Sequence, residues 1–191
     1  HYAKITVTEE GEVTFATPVA MPGAVSISMD PAGEPESFYA DGIEYYVINN
    51  NQGYDGDLEL AMIPETFRTD ILKEEADANQ VLVENANSET GSFALLFEFD
   101  GDIRKIRHVL YNCSASRPTI ESKTNEEDKE VQTETLTIKA RPMANGYVKA
   151  KTGDATTEAV YKAWYNKVYE PTAASESVEP QSVKTTKVVS K

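Results

Sequence analysis

The chain has 191 residues, 32 acidic and 18 basic, and a formal net charge of −14. That balance excludes an ordinary nucleic-acid grip, which needs clustered Lys and Arg, but leaves room for an acidic wall past which DNA slides. Plain solubility is the bland account of the same charge. A single cysteine, Cys113, excludes an intrachain disulfide and a cysteine-built metal site, and fits synthesis in a reducing cytoplasm.

The length suffices for one domain with a real core. No apolar run approaches the roughly 20 residues of a membrane span, and no signal peptide is visible. The chain opens on His1 and not Met, so a preceding piece is expected.

Taken in order, Lys4–Thr8 alternates and Val13–Phe15 returns after the turn residues Glu9, Glu10 and Gly11, which suggests a small hairpin. Ala24–Met29 reads as a half-exposed strand with Val25, Ile27 and Met29 on one face. Asp30–Pro35 reads as a polar loop, since two prolines and a glycine forbid a central strand. Ile43–Ile48 is β-branched and aromatic on both faces, so a core or a partner chain should cover each. An Asn/Gly run and the turn dipeptide Asp55-Gly56 separate it from Asp57–Met62, where Leu58, Leu60 and Met62 alternate with Asp57, Glu59 and Ala61. The two strands read as an antiparallel hairpin. Pro64 then opens a helix to about residue 75, with Phe67, Ile71 and Leu72 on one stripe.

Further on, Asp77–Gly91 is a loop interrupted by a short strand at Val81–Val83. Phe93–Phe99 is the strongest core strand, apolar on both faces, and Asp100-Gly101-Asp102 turns it into Ile103–Cys113. That return strand is unusually basic: Arg104, Lys105, Arg107 and His108. Two readings stand, cross-strand pairing with acidic neighbours or a subunit interface against an acidic patch of the next copy. Glu121–Glu130 is a charged loop, and Val131–Ala140 a strand with Leu136 and Ile138 inward. Asn145-Gly146 signals a hairpin with Tyr147–Ala150 as its return. Thr157–Tyr169 reads as a helix with Val160, Trp164 and Val168 in a row, although its Tyr and Trp also suit a strand. From Pro171 the composition turns to Ser, Thr, Val, Lys and Pro without period, a flexible tail. The expected organisation is one β-rich domain over 1–170, a helix near 64–75, another near 157–169, and a tail over 171–191.

No catalytic constellation stands out. A Ser-His-Asp or Cys-His site would need His108, and Cys113 lies five residues along the same strand, roughly 16 Å away on the opposite face. No zinc-protease, phosphate-loop or dinucleotide motif occurs. Asp55-Gly56-Asp57 and Asp100-Gly101-Asp102 hint at calcium without the spacing of an EF-hand loop. The expectation is a protein that is not an enzyme and has no cofactor and no metal.

The run MPGAVSISMDPAGEPESFYADGIEYYVINNNQGYDGDLELAMIPETFRTDIL and, further on, FALLFEFDGDIRKIRHVLYNCSASRP resemble the major tail protein (tail tube protein) family of long-tailed, non-contractile, siphovirus-type phages of Gram-positive bacteria. The resemblance covers roughly residues 1–165. It implies a tail-tube-type β-sandwich or barrel with one or two flanking helices, similar to the tube proteins of contractile tails and type VI secretion. It implies a virion protein, made and assembled in the host cytoplasm, that forms stacked and hexameric rings. Its partners would be further copies, the tape measure, tail tip and terminator proteins, and double-stranded DNA passing through the lumen without specific binding. No membrane is implied. Closing a ring would pair the sheet edges that otherwise aggregate. Candidate subunit-interface residues are Tyr45, Tyr46, Val47, Leu58, Arg104 and Arg107. Candidate ring-stacking residues are Asp30, Glu34, Phe38, Tyr39, Glu126 and Asp128. The alternative is a β-sandwich binding module for carbohydrate or calcium on a phage tail or cell surface.

Overall fold

The structure, a computed structural model, describes residues 1–8, 12–34, 36–40, 42–48, 50–119 and 132–172; for residues 36, 38–40 and 44–48 the description is of the backbone. The expected turn at 9–11, the charged loop at 121–130 and the tail beyond residue 172 lie outside the described residues.

The fold is mainly β with two helices. Its centre is an eight-stranded antiparallel sheet in the order β2-β1-β9-β10-β11-β6-β3, with β12 also paired to β10. These strands are β1 (Tyr2–Val7), β2 (Val13–Phe15), β3 (Ala24–Ala32), β6 (Gly53–Leu60), β9 (Phe93–Glu98), β10 (Arg107–Ala115), β11 (Glu134–Ala140) and β12 (Lys149–Lys151). Two small hairpins stand apart: β4 (Glu36–Ala40) with β5 (Ile43–Ile48), and β7 (Glu75–Ala76) with β8 (Leu82–Val83). Helix α1 (Glu65–Phe67) runs into a π-helix (Arg68–Leu72), and α2 spans Glu158–Ala163.

Period-two alternation puts a core on each face of β1, β9 and β10. On one face Tyr2, Phe93, Leu95, Leu110 and Cys113 pack with Leu58, Leu60, Leu136 and Ile138 against Phe67, Ile71 and Leu72 of the first helix. Phe67 sits edge-on to both Tyr2 and Phe93, at ring distances of 5.0 and 5.2 Å. On the other face Ala3, Ala94, Leu96, Val109 and Tyr111 lie under Trp164 and Val168, which follow α2. Each large side chain so buried contributes about 1.5–3 kcal/mol. The chain's own two helices therefore cover both sides of β9.

Several expectations need correction. Ile43–Ile48 pairs with β4, not with the strand after it. Gly42, at φ 79°, supplies the left-handed position for a tight turn that leaves this hairpin outside the main sheet. Asp55-Gly56 is no turn: it lies inside β6, between β3 and β11. Glycine is needed there because a Cβ on Gly56 would stand 1.9 Å from the Ser28 carbonyl oxygen. β6 ends at Leu60, so Met62 is 71% exposed and outside the core. Asp30 and Pro31 belong to β3, which tolerates a proline because it is the last strand of the sheet. A bulge between Ala24 and Ser26 leaves Val25 exposed while Ile27 and Met29 pack on the core.

The first helix stops at Leu72, ended by Lys73 at φ 61°, and Glu75 is already in a strand. α2 proper is six residues, yet the Trp164 and Val168 spacing still delivers both side chains to the core. After the turn at Met143–Tyr147 the chain pairs with β10, not β11. β10 accepts β12 at His108–Leu110 and β11 at Cys113–Ala115, on either side of an irregularity between Leu110 and Cys113.

Candidate assembly surfaces

The β4–β5 register sets Phe38 opposite Tyr46, Ser37 opposite Val47 and Tyr39 opposite Glu44. Residues expected at ring stacking (Phe38, Tyr39) and at the subunit interface (Tyr45, Tyr46, Val47) thus share one hairpin. Asp30 lies near the end of the edge strand β3, and Glu34 follows it, exposed. Glu126 and Asp128 fall outside the described residues.

The remaining interface candidates make contacts within the chain. Leu58 is 5% exposed and belongs to the core, which leaves no side-chain surface for a neighbour. Arg107 faces inward. Its Nε donates to Glu98 Oε2 at 2.9 Å and its Nη1 to the Tyr161 carbonyl at 2.6 Å, and the guanidinium lies over the Tyr161 and Tyr165 rings at 3.9 and 4.8 Å. Arg104 is exposed and forks onto both carboxylate oxygens of Asp154 at 3.1 and 3.2 Å. Within the chain Arg107 is thus paired across the strands with Glu98, and Arg104 with Asp154.

A surface not singled out from the sequence is the outer face of β3, β6 and β11. The inward residues there are Leu58, Leu60, Leu136 and Ile138, so the outward set is Ser26 and Ser28, Asp55, Asp57 and Glu59, and Thr135, Thr137 and Lys139. Hydroxyls and carboxylates are cross-linked: Ser26 and Thr133 donate to the two oxygens of Glu59 at 2.9 and 2.7 Å, and Thr137 to Asp57 at 2.8 Å. The Thr133 and Ser26 hydroxyls hold the Glu59 carboxyl below its ordinary range, and Arg141, 2.6 Å away, does the same for Asp55. This half of the sheet is apolar on one side and a hydroxyl–carboxylate carpet on the other. The signal was in the sequence, in the Asp57/Glu59 and Thr133/Thr135/Thr137 alternation, but no pattern within one strand says which strands lie side by side.

The opposite charge collects at the β9–β10 end. His108 stacks on Phe97 at 5.2 Å with an interplanar angle of 8°, and Phe99 meets both rings edge-on. Lys151 and Lys149 face His108 across the ladder; burial first, then these two ammoniums, keep the imidazole neutral to lower pH than usual. Cys113, fully buried under the sheet, has its thiol pushed up to about 12 by desolvation, which leaves it no nucleophile. Among the described residues no cluster of three or more His, Cys, Asp or Glu is placed to hold a metal ion. No helix among them is long and apolar enough to cross a membrane.

Residues 1–185 match the family model described as phage tail tube protein. The chain belongs to that family. The match reaches further into the C-terminal segment than the resemblance over roughly 1–165. A phage tail tube protein is a structural virion component that assembles with itself and with other tail proteins. No curated protein sequence matches the chain. Among solved structures it is similar to the anti-feeding prophage cap (AFP tube terminating cap), solved by cryo-electron microscopy, at 12% identity over 79% of this chain and 87% of that one. The TM-score of 0.33 is too low for that likeness to carry any argument.

Proposed function

We propose that this tail tube protein forms closed, six-membered rings that stack into a conduit for DNA ejection, with the outer face of β3, β6 and β11 as the lumen wall. The supporting observation is that face itself: carboxylates held by hydroxyls, with no apolar cover among the described residues, beside an open sheet edge. A wall in which carboxylates outnumber cations repels phosphate. The open edges at β2 and β3 are where neighbouring copies pair, which removes exposed strand edges from the finished ring. Residues 1–170 act as the ring-forming unit, with the β4–β5 hairpin, Asp30 and Glu34 reaching toward the next ring and the segment from 171 as an appendage. Assembly takes place in the host cytoplasm, between a tail tip with its tape measure and a terminator. The tube does not catalyse a reaction.

Negative-stain electron microscopy of the purified protein tests the assembly, with hollow tubes or six-fold rings expected. The lumen assignment is tested by Thr137→Cys labelled with a maleimide carried on a large polymer. Labelling of the free subunit and protection in the tube is expected; equal labelling of both would place this face outside and overturn it. Phage carrying Asp57→Asn and Glu59→Gln together should eject DNA more slowly, and unchanged ejection kinetics would remove the electrostatic role.

A further inference from the structure

Asn51, Asn85 and Asn145 are exposed and share one local geometry. In each the backbone N–H two residues on donates to the side-chain oxygen at 3.0 Å: Gly53 to Asn51 Oδ1, Asn87 to Asn85 Oδ1 and Tyr147 to Asn145 Oδ1. Such a bond folds the carboxamide back over its own backbone. What differs is the residue between. It is Gln52 at the first site, Ala86 at the second and Gly146 at the third, and Asn145 is the one asparagine in the whole chain that glycine follows.

A folded-back carboxamide is open to attack by the next backbone nitrogen. A Cβ on that next residue crowds the approach, and glycine has none. Gly146 lies at φ 83° in the exposed turn between β11 and β12, and a Cβ built on it would meet nothing within 4 Å. The Tyr147 N–H is also placed where charge develops: attack on Asn145 Cγ makes Oδ1 an oxyanion, and this N–H already donates to it. One contact opposes the step. The Gly146 N–H donates to the Met143 carbonyl at 2.8 Å, and this bond must be given up. It belongs to a turn that faces water, where solvent replaces it at small net cost.

We infer that Asn145 is a self-modifying site, converted in the folded protein to aspartate and isoaspartate through a succinimide. The Gly146 nitrogen loses its proton to solvent and forms a bond to Asn145 Cγ. The Cγ–Nδ2 bond then breaks, and ammonia leaves with a proton returned by solvent. Water opens the resulting five-membered ring at either carbonyl. Cleavage of the new N–Cγ bond gives aspartate. Cleavage between the Gly146 nitrogen and the Asn145 main-chain carbonyl carbon gives isoaspartate, with Cγ now carrying the main chain. In sum one water is consumed and one ammonia released, with no change of oxidation state. Ring closure takes the Gly146 N–H away from Met143, in the same turn where the Met143 N–H donates to the Tyr147 carbonyl at 2.9 Å, and the product adds a negative charge there. The change runs one way, so the converted fraction rises with the age of the molecule. It is independent of the assembly reading above.

The test is peptide mass mapping of the native protein held at pH 8 and 37 °C, beside a sample unfolded in guanidinium. The expected result is the mass increase of an amide-to-acid exchange at Asn145, about tenfold faster than at Asn51 or Asn85 in the native protein. Isoaspartate in the same peptide should be detected by enzymatic methylation of its free carboxylate. Ala86→Gly, an exposed substitution, should make Asn85 convert as Asn145 does. Asn145 left intact in the native protein while it converts in the unfolded sample would overturn the inference. Equal conversion of all three asparagines in the native wild type would overturn it as well.

Discussion

Replacing Arg107 with methionine removes the fastening between the second helix and the sheet. The guanidinium donates to the carbonyl of Tyr161, the residue at which α2 is about to end, and covers the rings of Tyr161 and Tyr165. The ion pair with Glu98 is 37% exposed on the carboxylate side and is worth about 0.5 kcal/mol after solvent screening. The charged hydrogen bond to the carbonyl contributes about 1.5 kcal/mol, and the two ring contacts about 0.5 kcal/mol each. Arg107→Met should therefore cost about 3 kcal/mol. For a domain of 150–250 residues that lowers Tm by roughly 6–12 °C. Arg107→Lys should fare little better, since an ammonium keeps the charge but neither the fork nor the stack. Urea denaturation and calorimetry of the unassembled subunit read both. A loss below about 1 kcal/mol, with tube assembly failing instead, would show that Arg107 serves the neighbouring copy and that its inward contacts do not hold the helix.

The Tyr111 hydroxyl is buried without a hydrogen-bond partner among the described residues, so Tyr111→Phe should raise stability by about 1 kcal/mol; a decrease would reveal a partner for that hydroxyl. Cys113 should resist iodoacetamide at pH 8 in the native state and react in denaturant, followed by mass spectrometry; rapid native labelling would contradict its burial. Glu59 has a folded pKa below its unfolded value, so its stabilising contribution is present above the unfolded pKa of about 4.3 and disappears as pH falls through the folded one. Thr133→Val should move the Glu59 titration, followed by NMR, back up toward the ordinary glutamate range.

The local patterns that survived folding are those carried by a single element. Phe67, Ile71 and Leu72 reach the core although the helix beneath them is partly of π type, because the stripe depends on which residues are apolar and not on one hydrogen-bond register. Leu136, Ile138, Trp164 and Val168 behave likewise. The failures involve choosing partners. Asn-Gly and Asp-Gly dipeptides tolerate turns without requiring them, so Gly56 could as well be the one residue that lets β3 pass close to β6. Pro31 excludes a central strand but not an edge, and only the sheet order makes β3 an edge. The acidic carpet needed the same information, since Thr133 and Glu59 are 74 residues apart in sequence. Arg107 stood out as an unusual cation; that its partners are a carbonyl and two tyrosines of α2 follows from the crossing of that helix over β10.

Because β1, β9 and β10 bear a core on each face, neither apolar layer can open without stripping the shared strands that support the other. The subunit should therefore melt as one cooperative unit, with equal calorimetric and van't Hoff enthalpies. In the tube proposed above, such units would leave no half-melted repeat: each subunit would be either intact or lost, and a local defect would not creep through one subunit to the next.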